Sequence, residues 1–232
     1  MRKEHGDGAF TARVAQEAEE EHRRRKAEER AARSSGAHTT RPIKDAAMVE
    51  KWFTIAKEHD RRRARGGVSW YMLVLLGFNT GLRIGDLCKL KVRDVRGRER
   101  VRIIAEKTGK MTDIMLTLPA RKAIDAALQD RDGGEWALES RQRGRKTGQR
   151  KPISRQRCYG IIKEIAAEAG YEEHAGCHTM RKTFAWGFYE TCGDLAKLQK
   201  MLNHSSQEAT LHYLGLDQMA LDEVIRKMRV FV

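Results

Sequence analysis

Near the carboxyl end of the chain, the stretch NHSSQEATLHYLGL (203–216) carries His204 and Tyr213. A phenol with a pKa of about 10 is a poor nucleophile at neutral pH unless its proton is taken and the charge of its target is shielded. Ser205 and Glu208 have the S-x-x-E spacing of a capping box, so a helix is expected to begin just after His204. That would set His204 at the positive end of a helix, where a phosphate is favoured. Tyr213 would lie about two turns further on. Ala209, Thr210 and Gly215, one turn to either side, are small and would leave the phenol room. Taken alone, Tyr213 would be an ordinary core or surface aromatic.

Other residues offer what a lone tyrosine lacks. HTMR (178–181) puts His178 and Arg181 at i,i+3, which brings two side chains to one helical face. TGLRIGDL (80–87) places Arg83 just beyond a glycine turn, with Asp86 three residues on, and KTGK (107–110) holds Lys107 with Lys110 as its neighbour. The planar fork of arginine binds phosphate oxygens in pairs, and two such groups can neutralise a phosphodiester without a metal.

Composition agrees with a phosphate-bearing partner. Across 232 residues, 46 Lys and Arg against 32 Asp and Glu give a formal charge of +14. An excess of that size suits a polyanion, either nucleic acid or an anionic membrane surface. The best apolar run, WYMLVLLGF (70–78), suits a buried helix and is too short to span a bilayer. The first ten residues lack the apolar stretch of a signal peptide. Cys88, Cys158, Cys177 and Cys192 are scattered without a CxxC pair, so reduced thiols in a cytosol are expected. HAGCH gathers His174, Cys177 and His178, but zinc ligands come in two spaced pairs and no second pair follows. Neither a metal nor another cofactor is expected.

The elements that must position these groups can be read from periodicity. Residues 1–40 are charged and poor in apolar residues, a solvated tail followed by the linker SSGAHTT, and a folded body is expected over 41–232. Helical stripes run through KDAAMVEKWFTIAKEHD and VSWYMLVLLGFNTG, with Gly81 closing the second. Val101, Ile103 and Ala105, then Ile114, Leu116 and Leu118, alternate as a β-hairpin turning near KTGK. Residues 139–157 read as a mobile basic loop. Arg141, Arg143, Arg145, Lys146, Arg150 and Lys151 are expected there to touch a DNA backbone, with Arg155 and Arg157 beyond them. Helices follow through SRQRCYGIIKEIAAEAG, HTMRKTFAWGFYETCG, DLAKLQKMLNH, SQEATLHYLG and DQMALDEVIRKMRV. The fold class is mainly α with a small antiparallel sheet (α+β).

The four motifs NTGLRIGDL, KTGK, HTMR and LNHSSQEATLHYL, in this order, resemble those of the tyrosine recombinase (phage integrase) family. The resemblance covers roughly residues 44–228. It implies the catalytic-domain fold of DNA breaking-rejoining enzymes and a site-specific recombinase that acts through a 3′-phosphotyrosyl intermediate, integrating or excising a mobile element or phage. It assigns Arg83, Lys107, His178, Arg181, His204 and Tyr213 to the six active-site positions, with Asp86 in support. By the same resemblance, Arg83 and Arg181 stabilise the phosphorane-like transition state and His178 accepts the tyrosine proton. Lys107 protonates the leaving 5′-oxygen and His204 donates to the phosphate, with no metal or nucleotide cofactor. The partners implied are double-stranded DNA at a specific site and a homotetramer on paired sites, with accessory DNA-binding proteins and no membrane, in the cytoplasm. The C-terminal helix expected over 217–232 would dock either on the protein's own core or, as the resemblance implies, in trans on a neighbouring protomer.

Family members carry a separate N-terminal core-binding domain, so this chain reads as a short member lacking it. A type IB topoisomerase uses closely similar chemistry, and a non-catalytic DNA-binding regulator would fit the charge and helices. The LNHSS motif and its spacing from Tyr213 favour the recombinase over the first, and the filling of every active-site position argues against the second.

Overall fold

The computed structural model describes residues 40–62, 68–145, 147–204 and 206–214, together with Arg226. The tail expected over 1–40 (Thr40 apart), Lys146, Ser205, Gly215 and the C-terminal helix expected over 217–232 (Arg226 apart) lie outside the described residues. So do the side chains of Glu208 and His212.

Helix α1 (Ala46–Arg62) buries Trp52 and Ala56. Near its end Asp60 organises the start of the next helix. Its carboxylate accepts from the Ser69 hydroxyl at 2.6 Å and from the N–H groups of Trp70 and Tyr71 at 2.8 and 3.1 Å. An anionic cap is well placed on those unpaired N–H groups. Helix α2 (Trp70–Thr80) is apolar on all sides and buried from Met72 to Phe78, as a central helix must be. It ends at Gly81, whose φ of 58° lies in the left-handed region, as expected. A Cβ there would also collide with the Phe184 ring, so both backbone and space require glycine.

Two single-turn helices follow, α3 (Ile84–Leu87) and α4 (Val92–Val95), too short to show as a period in the sequence. Strands β1 (Arg100–Ile104) and β2 (Met111–Met115) then pair antiparallel, Val101 opposite Ile114 and Arg102 opposite Asp113. The inward row holds Val101, Ala105, Ile114 and Leu116 as expected, but Leu118 departs from it at 59% exposed. Thr117 explains the change. Its hydroxyl caps helix α5 (Leu118–Leu128), so the alternation stops and Ala120, Ile124 and Leu128 take over the inner face.

The basic stretch after residue 139 is not a loop throughout. Strands β3 (Glu139–Arg143) and β4 (Arg150–Pro152) form a second, irregular hairpin, and helix α6 (Arg155–Ala169) has already begun at Arg155. Buried Leu138 and Ile153 anchor its base, where the Ile153 N–H donates to the Leu138 carbonyl at 2.9 Å. Glu139 sits 3.2 Å from Arg131 and 3.6 Å from Arg150, offsetting part of the positive charge that argued for a loop. Among the described residues the fold is therefore mainly α, with two two-stranded sheets where one was expected.

These elements share a core centred on α2 that includes Trp52, Leu73, Leu76, Val101, Ile124 and Ile161. Each such side chain contributes roughly 1.5–3 kcal/mol by leaving water. A smaller second core lies under helices α7 (Thr179–Cys192), α8 (Leu195–Leu202) and α9 (Gln207–Leu214). Ala185, Leu198, Leu202 and Leu214 form it, with Tyr213 packed against it. No helix among the described residues is long and apolar enough to cross a membrane.

Candidate active site

Arg83 follows the left-handed Gly81 turn and stands as the N-terminal flanking residue of α3. Asp86, on that same turn of helix, is buried, and its Oδ1 accepts the backbone N–H of Glu106 at 3.0 Å. This bond fastens the β1–β2 turn to the arginine segment. Within the turn, the Gly109 N–H donates to the Ala105 carbonyl at 2.8 Å and the Ala105 N–H to the Lys110 carbonyl at 2.9 Å. Gly109 takes a φ of 64°, a conformation that favours glycine. The result presents Lys107. Arg83, Asp86, Glu106, Lys107, Arg155 and His178 line one open cavity of about 400 Å³.

His178 stands at the N-terminal flanking position of α7, with no side-chain hydrogen bond to the helix start. Its Nδ1 lies 3.4 Å from the Tyr213 hydroxyl. Crowding by surrounding protein, then the positive charges of Arg181, Lys182, Arg83 and Lys107, hold its imidazole below the ordinary histidine value. A neutral ring at that distance can accept a phenolic proton, provided Nε2 carries the ring hydrogen.

Arg181 lies one turn along the same helix and is 5% exposed. One terminal nitrogen donates to the carbonyl of Gly81 and the other to that of Leu202 at 2.9 Å. Its guanidinium carbon is 5.9 Å from the centre of the Tyr213 ring, and the Lys182 ammonium is 5.3 Å from the same point. The three segments with arginine, histidine and tyrosine chemistry thus meet at this one side chain.

Asn203 ends α8 with a φ of 55°, which asparagine tolerates better than other side-chain-bearing residues. Its amide donates to the Thr112 hydroxyl at 3.2 Å and the Met111 carbonyl at 3.3 Å, tying β2 to the His204 segment. The His204 ring meets the Tyr213 ring edge-on at 5.1 Å between centres. Its Nδ1 is 3.2 Å from the Thr210 hydroxyl, which also lies 3.1 Å from the Ser206 carbonyl. A carbonyl only accepts, so the Thr210 proton goes to Ser206 and His204 Nδ1–H donates to Thr210. Donation from Nε2 to a phosphate would then require a second ring proton. Burial, then Arg181 and Arg83, push the His204 pKa down to about 4.

Tyr213 has the opposite shift. Burial pushes its phenol up to about 12, against the pull of Arg181 and Arg83. A phenol held protonated in this way needs both a proton acceptor and charge shielding before it can attack, and His178 and Arg181 stand where those are required.

The structure brings together all six sequence-selected residues in two overlapping groups. Arg83, Lys107 and His178 face the cavity; Arg181, His204 and His178 surround Tyr213. At the start of α9 the Ser206 hydroxyl accepts the Ala209 N–H at 3.2 Å; the capping box expected from Ser205 and Glu208 lies outside the described residues. The selected basic residues stand on the second hairpin: Arg141, Arg143, Arg145 and Lys151 are exposed. Arg150 is half-buried beside Glu139, so part of its charge is engaged within the protein. Among the described residues no three His, Cys, Asp or Glu side chains gather as metal ligands, His174 and Cys177 included.

Sequence reading passed over Asn203, Glu106 and the place of Arg155. Asparagine at the end of a helical stripe was a usable sign of a left-handed residue. Arg155 and Glu106 are 49 positions apart and left no local sign.

The phage integrase family model matches residues 45–219. The chain is 38% identical over 181 residues to the probable integrase/recombinase YoeC of Bacillus subtilis, covering 78% of this chain and 92% of that protein. It is 31% identical to the tyrosine recombinase XerD of Corynebacterium glutamicum, covering 66% of this chain but only 50% of that one. The chain thus spans about half the length of that larger relative. Among solved structures, XerA recombinase superposes with a TM-score of 0.60 at 22% identity, covering 83% of this chain and 68% of that one. A lambda integrase fragment bound as a dimer to a core site gives 0.57 at 19% identity, covering 87% and 66%. Likeness at that identity shows the shared catalytic-domain fold.

Proposed function

Because the chain belongs to the phage integrase family of tyrosine recombinases, we propose that it cleaves and rejoins double-stranded DNA at a specific site, with Tyr213 as nucleophile. The observation that carries this reading is the 3.4 Å separation of His178 Nδ1 from the Tyr213 hydroxyl, beside a buried arginine. His178 takes the phenolic proton as the Tyr213 oxygen bonds to phosphorus and the bond from phosphorus to the 5′-oxygen breaks. Lys107 gives a proton to that departing oxygen. The products are a 3′-phosphotyrosyl link and a free 5′-hydroxyl, and the reverse sequence rejoins the strand. Arg83 and Arg181 stabilise the charge that builds on the non-bridging oxygens. His204 donates to the same oxygens once a phosphate has drawn a proton onto it.

The phosphoester energy is retained in the covalent link, so the proposed route calls for no nucleotide. Two arginines carry the charge that a metal would otherwise carry. The structures of family members on DNA support duplex DNA as partner. A tetramer on paired sites, accessory proteins, a cytoplasmic setting and service to a mobile element remain part of the proposal.

The test is covalent capture. Nicked duplexes with a randomised central segment trap a tyrosine recombinase because the cleaved 5′ fragment diffuses away. Denaturing gels should show a protein–DNA adduct, sequencing should return an enriched site, and peptide mapping should place the link on Tyr213. Adduct formation undiminished in Tyr213→Phe would overturn the assignment, with Tyr189 and Tyr171 the next phenols to map.

A further inference from the structure

We propose that Glu106 is a positioning residue for the cleavage reaction: its carboxylate, clamped between Lys89 and Arg155, holds the turn that delivers Lys107. The inference rests on the reading of Lys107 as the proton donor.

The geometry around this residue is unusual for a basic protein that meets a polyanion. Glu106 directly precedes Lys107 and lines the same cavity. A carboxylate there repels phosphate, so its presence calls for a reason. Its Oε1 lies 2.9 Å from the Lys89 ammonium and its Oε2 2.6 Å from a terminal nitrogen of Arg155. The hydrogen bond from Lys89, and then the positive charges of Lys89 and Arg155, outweigh the opposing effect of desolvation and leave its carboxyl below the usual range, so it is ionised at neutral pH. Its backbone N–H is separately held by Asp86 at 3.0 Å. Two segments far apart in the chain, one carrying Asp86 and Lys89 and the other Arg155, therefore converge on one residue of a short turn.

Arg155 is fixed in its turn. It lies over Gly85, where an added Cβ would stand 2.5 Å from the arginine's terminal nitrogen. Glycine at 85 thus opens the space through which Arg155 reaches Glu106. Exposed ion pairs add little to stability. A clamp of this kind therefore matters through placement of Lys107 more than through the folding equilibrium. Misplacement of a reacting group by about 1 Å can cost on the order of 10²-fold in rate.

The distinguishing readout is the chemistry of the leaving group. A 5′-bridging phosphorothiolate departs as a thiolate and needs no proton from Lys107. Single-turnover cleavage is measured on the duplex recovered by covalent capture, with oxygen and with sulfur at the bridging position, for wild type, Lys107→Ala, Glu106→Gln and Arg155→Gln. Lys107→Ala should lose on the order of 10²–10⁴ in rate on the oxygen substrate and recover on sulfur. Glu106→Gln, which keeps size and removes charge, should lose roughly 10-fold on oxygen, recover on sulfur and bind the duplex as wild type does. Arg155→Gln should show the same recovery of cleavage. A Glu106→Gln defect equal on both substrates, or no defect at all, overturns the clamp while Lys107→Ala still recovers. If Lys107→Ala itself does not recover on sulfur, the proton-donor reading falls first and the clamp falls with it.

Discussion

The guanidinium of Arg181 donates to the main-chain carbonyl of Leu202 at 2.9 Å, across the last turn of the helix that leads to His204. Its other terminal nitrogen reaches the carbonyl of Gly81, two residues before Arg83. The side chain is thus a structural tie between motif segments as well as a charge beside Tyr213.

Arg181 and Arg83 should therefore respond differently to removal. Arg181→Ala leaves two carbonyls without their donor in a buried place, at roughly 1–3 kcal/mol each. Its melting temperature should fall and its cleavage disappear. Arg83→Ala, on a half-buried residue, should melt near wild type and lose about 10²–10³ in cleavage rate. Equal melting temperatures in the two variants would remove the tie from the account of Arg181.

Tyr213→Phe should abolish the covalent adduct and leave duplex affinity within about threefold of wild type, because only the hydroxyl is lost. His178→Ala should lower cleavage by about 10²–10⁴ and shift its pH dependence, since the phenol would then lack its acceptor. Quenched-flow cleavage across pH measures this; an unaltered rate in His178→Ala would remove the histidine from proton transfer.

Both imidazoles sit below the ordinary histidine value of 6.5 in the folded chain, His204 at about 4. As pH falls below about 6.5 the unfolded chain binds protons first, so the folded state loses stability progressively down to about pH 4. Thermal melting should show that loss, and His204→Gln should shrink it over the same interval. A melting temperature that stayed level, or rose, between pH 6.5 and 4 would contradict the burial argument.

Charge on the second hairpin should govern grip rather than chemistry. Replacing Arg141, Arg143, Arg145 and Lys151 with glutamine should weaken binding to unrelated duplexes equally. It should also flatten the plot of log affinity against log salt by about 0.9 for each phosphate that the variant no longer neutralises. Fluorescence anisotropy at several salt concentrations measures the slope, and a slope identical to wild type would release the hairpin from any role in holding DNA.

Cleavage of the captured duplex should continue at the wild-type rate in excess EDTA, because Arg83 and Arg181 carry the shielding charge. An absolute requirement for a divalent cation would overturn the mechanism.

What the sequence determined by itself was chiefly local or came through ordered motifs. The all-apolar run 70–78 suited a buried helix, Gly81 its left-handed end, and the alternation around Val101 and Ile114 a hairpin. Each follows from a period or a backbone preference that operates over a few residues. The types and order of Arg83, Lys107, His178, Arg181, His204 and Tyr213 carried the family resemblance, though not their distances. What only the tertiary structure decided lies in meetings between distant segments. The basic stretch became a hairpin because Leu138 and Ile153 are buried at its base and Glu139 meets Arg131 and Arg150. The partners of Glu106, Arg181 and Asn203 are set by how α2, α6, α7 and the first hairpin pack, and no period of 2 or 3.6 encodes such a meeting. Residue chemistry is written in the chain, whereas proximity between remote side chains exists only after the two cores have closed around them.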